Sequence, residues 1–594
     1  MDYYGSMTSK RHPRHLLLPL VLAVAAAMGS LGTAAYAASE VEPPVAKSAM
    51  DSALFYQLLV AEMSAQSGDS GSAFQLILDA ARRTSDASLF ERAIEIALRS
   101  RAGDSALQAA QAWSRALPQS GEALRFQLQI LVGLNKLPDT VDVVRRMVAV
   151  TAAKERAAAI GQLPRFFARV GDKKQAAVVL EQALAPELNS SSLGPAAWTA
   201  IGTLRLVAGD TAAALAAASR GAATQPASPE PIQLALAIMA PAYPQAEALV
   251  RKFLAATPQD DVRMAFVRKL LEVERLGEAS AELATLTRQS PQFADGWLVR
   301  GSLETQQKKW ADAERSLKRY LELHAPNDAA QNSTLLDGAD RGEVQAYFML
   351  SLIAEEGGRF EEALSYLKKI NNPQDRLRVQ VRHANLLAKQ GRLAEARALV
   401  RAIPEVGPDD GRAKLSAEVQ LLRDARDFMG AFELLGVAAR REPPDAEVLY
   451  DYAMAAEKVN RLTEMEQALR KVIALKPDYH HAYNALGYSL ADRSIRLDEA
   501  RQLVKKALEF APDDPYIVDS LAWVEYRSGN RQEALRLLQK AFTSKPDAEI
   551  AAHLGEVLWV TNQRDQAHSI WKQGLELNPA NDTLLETMRR FIHQ

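Results

Sequence analysis

The stretch QSGDSGSAF, residues 66–74, contains the residue types of a nucleophilic site. A serine in a Gly-Asp-Ser-Gly loop can attack a carbonyl carbon when a histidine base and an acidic residue complete the geometry. Ser70 is therefore a candidate catalytic residue of a protease or esterase. None of the nine histidines falls between His15 and His324, and none has the sequence context of a serine-protease base. The Gly-Asp pair also recurs at 171–172 and 209–210, which favours a structural origin.

Other motifs for chemistry are absent from the sequence. It contains no H-E-x-x-H pattern, no glycine-rich phosphate loop with lysine, and no histidine pair at helical metal spacing. His480 and His481 are adjacent at a helix start, where we expect their rings to point to different sides and not to chelate a metal. There is no cysteine, which excludes disulfides, thiolate zinc sites, thiol catalysis and a lipid-modified cysteine. We expect no enzyme, no metal and no cofactor.

The charge balance gives no electrostatic attraction toward nucleic acid. The 594 residues include 71 Lys and Arg against 73 Asp and Glu, for a net charge of −2. Proteins that bind nucleic acid through its phosphates depend on a marked excess of cations. The composition, 48% hydrophobic with only 6% aromatic residues, is typical of a helical globular protein, and the length requires several domains or an extended array.

A repeat of about 34 residues runs through the chain. Its ends are marked by Pro477, Pro512, Pro546 and Pro579, at intervals of 35, 34 and 33 residues. Twelve residues before the last three prolines lie Ala500, Ala534 and Ala567. This period, with small residues at fixed offsets, predicts tetratricopeptide repeats. The fold class is therefore all-α, an α-solenoid or superhelix of helical hairpins, in which small side chains allow two helices to approach closely.

The same small-residue position, which we call the anchor, recurs toward the N-terminus. It is found at Met465, Ala431, Ala396, Ala363, Ala313, Ala279, Ala246, Ala214, Ala176 and Ala73, and less clearly at Thr140 and Ala106. The interval of 50 residues between Ala313 and Ala363 contains the polar stretch 325–342, predicted as a surface loop.

The turn between the two helices of each hairpin is predicted five residues before the anchor. A glycine occupies it at Gly68, Gly171, Gly209, Gly358, Gly391 and Gly529. Glycine supplies the positive φ that ends a helix, and the following aspartate can cap the next one. Ser70 is accordingly predicted to lie in an inter-helix turn and not to act as a nucleophile.

The N-terminus has the order of a secretory signal peptide. It contains Lys10, Arg11 and Arg14, the apolar run 16–28, and Ala35-Tyr36-Ala37. The apolar run is shorter than the roughly 20 residues of a spanning helix, which favours cleavage after Ala37 over a membrane anchor. We expect a periplasmic protein without an integral membrane segment in the mature chain. Whether Met1 or Met7 is the start remains open.

These features divide the chain into six parts. Residues 1–37 are the signal peptide and the next segment, 38–50, is a linker. The repeats occupy 51–324 and 343–579, separated by the 325–342 loop, and residues 580–594 form a capping helix.

A candidate peptide groove lies in the last three repeats. Side chains one and four residues past the small residues Gly487, Ala522 and Gly555 are predicted to face the concave side of the solenoid. They include Tyr488, Trp523, Tyr526, Glu556 and Trp559. Aromatic grooves accept apolar or proline-containing peptides, although such rings can also pack against the neighbouring repeat. The Lys/Asn clamp for a terminal carboxylate is not evident, since Asn484 alone does not make one.

The first predicted repeat carries a family resemblance. The matching elements are LLVAE at 58–62, AARRT at 80–84 and ERAIEIAL at 91–98, with YRSGNRQEALRLLQKA at 526–541. They resemble periplasmic tetratricopeptide proteins of proteobacteria. The best-understood members are outer-membrane lipoprotein adaptors that bind a carboxy-terminal-processing serine protease and help it degrade peptidoglycan hydrolases. The resemblance implies a non-enzymatic adaptor with such a protease and such hydrolases as partners. Lipid anchoring is not implied, because there is no cysteine.

Two other functions remain open. The same repeats suit a scaffold for envelope assembly, in polysaccharide export or in outer-membrane protein or lipoprotein trafficking. Alternatively, Asp337, Asp340 and Arg341 of the predicted loop could form an unfamiliar enzyme site, although scattered loop charges are usually solvated. The sequence leaves the partner, the repeats that bind it, the oligomeric state and any association with the outer membrane undetermined.

Overall fold

The structure, a computed structural model, describes residues 51–324, 336–407 and 409–592. Within these residues the regular elements are all helices and no strand is present, which confirms the predicted all-α repeat fold. The predicted signal peptide, the linker 38–50 and part of the predicted loop, 325–335, lie outside the described residues. The chain divides into two compact units at Leu234.

The described part of unit 1, from residue 51 onward, contains ten complete helices and the beginning of an eleventh. They are α1 (Ser52–Ser67), α2 (Ser70–Thr84), α3 (Ala87–Arg99), α4 (Gly103–Ala116), α5 (Gly121–Gly133), α6 (Thr140–Val150), α7 (Arg156–Phe166), α8 (Lys173–Ala183), α9 (Gly194–Val207), α10 (Thr211–Thr224) and α11 (Glu230–Ile238). Short 3₁₀ turns lie at Leu137–Asp139 and Ala153–Glu155.

Unit 2 begins at Ala235 within α11 and contains twenty more helices in its described part. The first ten are α12 (Pro244–Ala256), α13 (Asp260–Glu272), α14 (Leu276–Gln289), α15 (Ala294–Gln306), α16 (Trp310–His324), α17 (Leu336–Glu356), α18 (Phe360–Leu367), α19 (Arg376–Lys389), α20 (Leu393–Arg401) and α21 (Asp410–Asp424). The others are α22 (Phe428–Ala438), α23 (Ala446–Lys458), α24 (Leu462–Leu475), α25 (His480–Asp492), α26 (Leu497–Phe510), α27 (Pro515–Arg527), α28 (Arg531–Ser544), α29 (Ala548–Val560), α30 (Arg564–Leu577) and α31 (Asp582–Ile592). One 3₁₀ turn lies at Pro373–Asp375.

Each even-numbered helix from α2 to α30 carries one predicted anchor in its first turns, and every anchor is buried. None of the fifteen is more than 1% exposed, including the weakly patterned Ala106 and Thr140. The hydroxyl of Thr140 is satisfied because it donates to the Leu137 carbonyl at 2.7 Å. Small residues on the facing helices are equally restricted in size. A Cβ on Gly301, for example, would lie 2.7 Å from Leu317 Cγ. The anchor positions therefore set how closely paired helices approach.

The turn five residues before the anchor has a left-handed residue in most hairpins. Gly68 has φ +92° and Gly209 has φ +78°, and three other predicted glycines share this conformation. Gly171 lies between two helices as predicted, but without the expected positive φ, because α7 ends at Phe166 and a longer connection reaches α8. At the same position other hairpins place non-glycine residues with positive φ, namely Arg101, Asn135, Glu274, Lys308, Arg426, Asn460 and Asn562. The turn geometry is thus a property of the repeat and not of glycine alone.

The prolines of the repeat end the second helices as predicted. Four helices, α24, α26, α28 and α30, end two residues before Pro477, Pro512, Pro546 and Pro579. Proline disfavours helical φ and ψ at the residue before it, so the helix ends there. The last helix, α31, lies within the predicted cap 580–594, and its Leu584 is fully buried.

The predicted loop 325–342 is too long. Helix α17 begins at Leu336, so residues 336–342 are helical. Its buried residues include Val344, Ala346 and Leu350. From these the helix extends toward its N-terminal end at Leu336. Gly342 lies inside the helix where a Cβ would collide with the Tyr320 hydroxyl. Here glycine serves close packing and not a loop.

Candidate protein-interaction site

The candidate site is built on four helices of the C-terminal repeats, α23, α25, α27 and α29. Each of them is the first of the two helices of its hairpin, and we call such helices first helices. Three of them start at an aspartate whose side chain accepts backbone N–H groups: Asp445, Asp514 and Asp547. Such caps satisfy N–H groups that have no partner within the helix and fix where it begins. A Cβ on Gly555 would collide with the Trp571 indole, so this small residue places α29 directly against α30. Repeated caps and small residues therefore fix the register of the side chains on these helices.

His553 lies at the centre of a buried polar cluster. Its Nδ1 is 2.9 Å from Asp519 Oδ2, and its Nε2 is 3.2 Å from the Tyr488 hydroxyl. The ring stacks on Trp523 at 4.2 Å between centroids, and His553 is only 3% exposed. Burial opposes the imidazolium, but the adjacent Asp519 carboxylate outweighs it, so the pKa of His553 is raised. The cluster therefore joins α25, α27 and α29 through directional contacts.

This cluster does not have the properties of an activated nucleophile. Burial, followed by neighbouring carboxylates such as Asp492, raises the pKa of Tyr488 well above its ordinary value. Catalysis by a phenolate requires the opposite shift. The Tyr488 hydroxyl is consequently a neutral hydrogen-bonding group beside the imidazole.

A second contact network links Tyr526 and Glu556. The Tyr526 hydroxyl donates to Glu556 Oε1 at 3.2 Å, and Arg590 of α31 donates to Glu556 Oε2 at 2.7 Å. Burial and then the Glu556 carboxylate raise the pKa of Tyr526 to about 12. The Tyr526 ring lies 5.1 Å from that of Trp523, which connects this network to the His553 cluster.

Trp559 belongs to a different aromatic group. Its ring lies 5.6 Å from Trp571 and 6.3 Å from Phe591, near the closing helix α31. Of the five predicted groove residues, the structure thus brings together Tyr488, Trp523, Tyr526 and Glu556. The geometry matches the packing alternative for the buried Trp523 as well as for Trp559, since both rings pack within the array.

Three carboxylates near the cluster form no ion pair within the described residues. We call Glu457, Asp492 and Glu549 the acidic face. Asp492 Oδ1 accepts from the Trp523 indole at 3.2 Å, and Glu549 Oε1 is 3.4 Å from the Thr583 hydroxyl. Burial raises the pKa of Glu457; Lys458 opposes the shift, while Asp492 and Glu549 add to it. Asp492 and Glu549 therefore add to burial in disfavouring the charged form of Glu457.

Sequence reasoning missed the groups that organise this site. Asp519 lies four residues before Trp523, and His553 lies three residues before Glu556. Residues three or four apart share a helix face. The sequence signal for these groups was a polar residue one helical turn before a predicted groove residue.

The candidate serine of unit 1 directly follows an inter-helix turn. Gly68 ends α1 with a positive φ, and the Asp69 side chain accepts the Ser72 N–H at 3.1 Å. Hydrogen bonding to the Ser72 side chain, and then to the Ser72 backbone, lowers the pKa of Asp69. The turn predicted at Gly68 and Asp69 is confirmed, and Ser70 follows it as the first residue of α2.

The expected separation of the two adjacent histidines is wrong. The rings of His480 and His481 lie 4.0 Å apart, because His481 turns toward the rings of Tyr479 and Tyr450. Burial, followed by His480, lowers the pKa of His481. Across the described ranges, no group of three His, Asp or Glu side chains is arranged to hold a metal ion. No described helix combines the length and apolar composition of a membrane span.

Comparisons with known proteins agree with this fold. Two tetratricopeptide-repeat family models match, one at residues 354–418 and the other at 264–330 and 462–515. A solved tetratricopeptide repeat protein from Parabacteroides merdae is 16% identical, with a TM-score of 0.33, and the match covers 42% of this chain and 99% of that one. Over the matched ranges the chain is therefore similar to tetratricopeptide-repeat proteins, in agreement with its all-α repeat fold.

Two kinds of relative are similar over longer stretches. A TPR repeat-containing protein of Pseudomonas aeruginosa is 39% identical over 211 residues, which cover 36% of this chain and 36% of the relative. Cellulose synthase operon protein C of Pseudomonas fluorescens is 25% identical over 340 residues, 50% of this chain and 26% of the relative. The protein of that name from Xanthomonas axonopodis is 24% identical over 420 residues, 60% of this chain and 27% of the relative. The chain thus spans little more than a third of the first relative and about a quarter of the others.

Proposed function

We propose that this protein is a non-catalytic scaffold that binds other proteins through the first helices of its C-terminal repeats. The observation that supports this is the convergence of the half-buried Tyr488 and Tyr526 on the buried Trp523 and His553, from three successive first helices. Large aromatic side chains held in place by hydrogen bonds lose little freedom when a partner packs against them. An array of stacked repeats also offers such positions over an extended surface.

The partners we propose are a carboxy-terminal-processing protease and peptidoglycan hydrolases in the periplasm. Support comes from the resemblance at residues 56–100 and from the signal-peptide pattern of residues 1–37. Holding a protease and its substrate on one scaffold raises the effective concentration of each for the other. The scaffold would then accelerate degradation without chemistry of its own.

The test is capture of partners by the tagged full chain from periplasmic extract of the source bacterium. We expect a serine protease and at least one cell-wall hydrolase to be recovered, and the hydrolase to accumulate in a deletion strain. Tyr526→Ala should reduce recovery, whereas Glu433→Gln, an exposed change on the second helix α22, should not. A deletion strain with unchanged hydrolase levels would contradict the adaptor role.

A second proposal is a scaffold for envelope assembly such as polysaccharide export. It is favoured by the similarity to cellulose synthase operon protein C, which extends over 60% of this chain in one case. In that role, deletion should impair secretion of a polymer or sorting of envelope proteins while hydrolase levels stay normal. The same deletion strain therefore separates the two proposals.

A further inference from the structure

Helix α1 of unit 1 carries an exposed apolar surface. Its side chains Phe55, Tyr56, Leu59 and Met63 are between 47% and 68% exposed. No other helix in the described ranges has more than three large apolar side chains that are exposed. Spacings of three and four residues place these side chains on one side of the helix, away from the buried Leu54. We call these four residues the α1 face.

The polar side chains in the middle of α1 are bound by the chain itself. Gln57 Nε2 donates to the Leu76 carbonyl of α2 at 2.8 Å. Glu62 is the only charged residue of α1, and its Oε2 accepts from Arg92 of α3 at 2.7 Å. A helix at the surface of a protein normally directs its polar side chains to solvent and its apolar side chains to the core. Helix α1 reverses this order along the α1 face, as helices do where another molecule covers them.

The size of the α1 face limits what can cover it. Side chains of this kind have an accessible area of about 200 Å² each, so their exposed fractions leave about 450 Å² open to solvent. The largest apolar patch of a typical monomer covers about 300–600 Å² and is often functional. Two such faces together would bury about 900 Å², which is less than the roughly 1,200 Å² at which standard protein interfaces begin. We therefore expect a weak and reversible contact.

The order of the residues along the α1 face matches a second copy of the same helix. Tyr56 lies three residues before Leu59, and Met63 lies four residues after it. In an antiparallel pair with a two-fold axis beside Leu59, Tyr56 of each copy lies against Met63 of the other. Methionine sulfur packs favourably on aromatic rings. The four side chains are uncharged, so no like charges meet across the axis.

We propose that the α1 face joins two copies of this chain in an antiparallel, two-fold symmetric helix pair. The inference is independent of the scaffold function proposed above. An interface of this kind closes on itself, because the same surface of both copies is used and neither is left open. Its small area predicts a dissociation constant of about 1 to 100 µM. Each dimer presents the repeats of two chains to other proteins.

Sedimentation velocity of the full chain without its predicted signal peptide tests the proposal. The native chain should pass from monomer to dimer between about 1 and 200 µM, a range that includes weak interfaces. Leu59→Glu places two carboxylates beside the axis and should raise the dissociation constant at least about tenfold.

The matched control is Val178→Glu on α8. Val178 is apolar and 45% exposed, so the same charge is introduced at a position of similar exposure outside the α1 face. This variant should form dimers like the native chain. Both replaced side chains are exposed, and unchanged thermal melting by circular dichroism would show that both variants fold.

An exchange of charge locates the contact between the copies. Leu59→Lys alone should dissociate like Leu59→Glu, because two ammonium groups meet beside the axis. An equal mixture of the two variants should form dimers again, since opposite charges then lie together. A fluorescent label on one variant allows these mixed dimers to be followed.

Three results overturn the proposal. A native chain that stays monomeric over the whole range would mean that two copies do not pair through the α1 face. A dimer that persists in Leu59→Glu, or that is lost equally in Val178→Glu, would mean that another surface or the net charge governs association. A mixture of Leu59→Glu and Leu59→Lys that forms no dimer would rule out the two-fold pairing at this residue.

Discussion

The two units bury different kinds of polar side chain. Among the described residues of unit 1, the buried polar side chains are Ser114, Gln127 and Thr140, all uncharged. The residues of unit 2 that the structure describes include seven buried acidic or basic side chains and a buried histidine: Arg263, Glu304, Glu355, Glu418, Asp519, Glu525, Glu556 and His553. The repeat and its anchors are nevertheless the same in both.

This difference separates what the repeat requires from what a particular region adds. In unit 1 the interior is dominated by apolar residues such as Phe90, Leu124 and Leu128, whose packing is not directional. In unit 2 the buried carboxylate of Glu418 is bound by Arg397 at 2.8 Å and by Arg401 at 2.6 Å. Since apolar packing suffices to stack repeats, the buried charges of unit 2 are not needed for stacking. We infer that they hold their partner side chains in fixed positions.

The largest expected effect comes from breaking the buried Asp519–His553 pair. Asp519→Ala leaves the imidazole buried without its carboxylate, and we expect a loss of about 3 kcal/mol in local stability near pH 6. In unit 1, Ser114→Ala removes a neutral hydrogen bond to Gln127 of 2.9 Å and should cost about 1 kcal/mol. Hydrogen exchange of α27 and α4 in the full chains, followed by mass spectrometry, measures both.

Equal losses in the two variants would contradict the comparison. They would mean that the charge of the Asp519 pair adds nothing beyond an ordinary hydrogen bond. Asp519→Asn supplies a control of nearly unchanged shape. It should fall between the native chain and Asp519→Ala, because the amide can still hydrogen-bond to His553.

The same pair should make unit 2 sensitive to pH. The raised pKa of His553 means that its contribution is fully present below the unfolded value of 6.5 and is lost as pH rises through the folded value. The groups facing it are Asp519, Glu549, Glu556 and Tyr488, of which the carboxylates favour the imidazolium. Local stability of α29 should therefore fall with rising pH in the native chain.

The corresponding measurement is hydrogen exchange of α29 from about pH 6 to about pH 9, corrected for the intrinsic exchange rate. His553→Gln should remove the pH dependence in this range, and unit 1 should show none of it. A decline that persists unchanged in His553→Gln would assign the effect to another group.

Much of the fold could be predicted from the sequence because the repeat imposes local rules. All fifteen anchors were predicted, since only a residue that fits the closest approach of two helices recurs at that position. The position of the turn was predicted for each hairpin, but its left-handed conformation was predicted only where glycine occupies it. Lys308 and Arg426 adopt the same left-handed conformation without any local signal, because the packing of two helices determines it. The extent of α17 was missed for a similar reason, as Gly342 suited a loop but is needed for packing against Tyr320.

The site was less predictable because it depends on contacts between repeats. The period placed Trp523 and Tyr526 on the correct helices, but it contained no information on ring direction. Trp559 has the same register as Tyr526 and packs instead against Trp571. The Tyr488–His553 contact joins residues 65 positions apart and skips a whole repeat, so no local pattern reveals it.

The shared turn predicts opposite effects for two substitutions. Gly209→Ala in unit 1 places a side chain at φ +78° and should cost about 1 kcal/mol. Lys308→Gly in unit 2 removes such a strain at φ +57° and should stabilise its hairpin by about 0.5 kcal/mol. Thermal melting and hydrogen exchange of the flanking helices measure both changes. A destabilised Lys308→Gly chain would show that the lysine side chain itself matters there.

The smallest expected effect concerns an ion-pair network nearer the surface of unit 2. Hydrogen bonding from Arg496, opposed by burial and supported by Arg470, lowers the pKa of Glu466 to about 2. Because the folded pKa is depressed, the network contributes above the unfolded value of 4.5 and loses its contribution as pH falls toward 2. Both guanidinium groups are 44% exposed, so solvent screening should limit the cost of Glu466→Gln to about 1 kcal/mol at pH 7.

Salt distinguishes this network from the buried pair. The cost of Glu466→Gln should shrink between about 50 mM and about 500 mM salt, whereas that of Asp519→Ala should stay nearly constant, since buried charges are screened little. The two costs are measured at both salt concentrations by hydrogen exchange of α24 in Glu466→Gln and of α27 in Asp519→Ala, each compared with the native chain. If the two costs fell in parallel, the Asp519–His553 pair would be accessible to ions, and the distinction between buried and surface charges within unit 2 would be wrong. If only the Glu466 cost falls, the directional contacts that position the His553 cluster are independent of the surrounding ions.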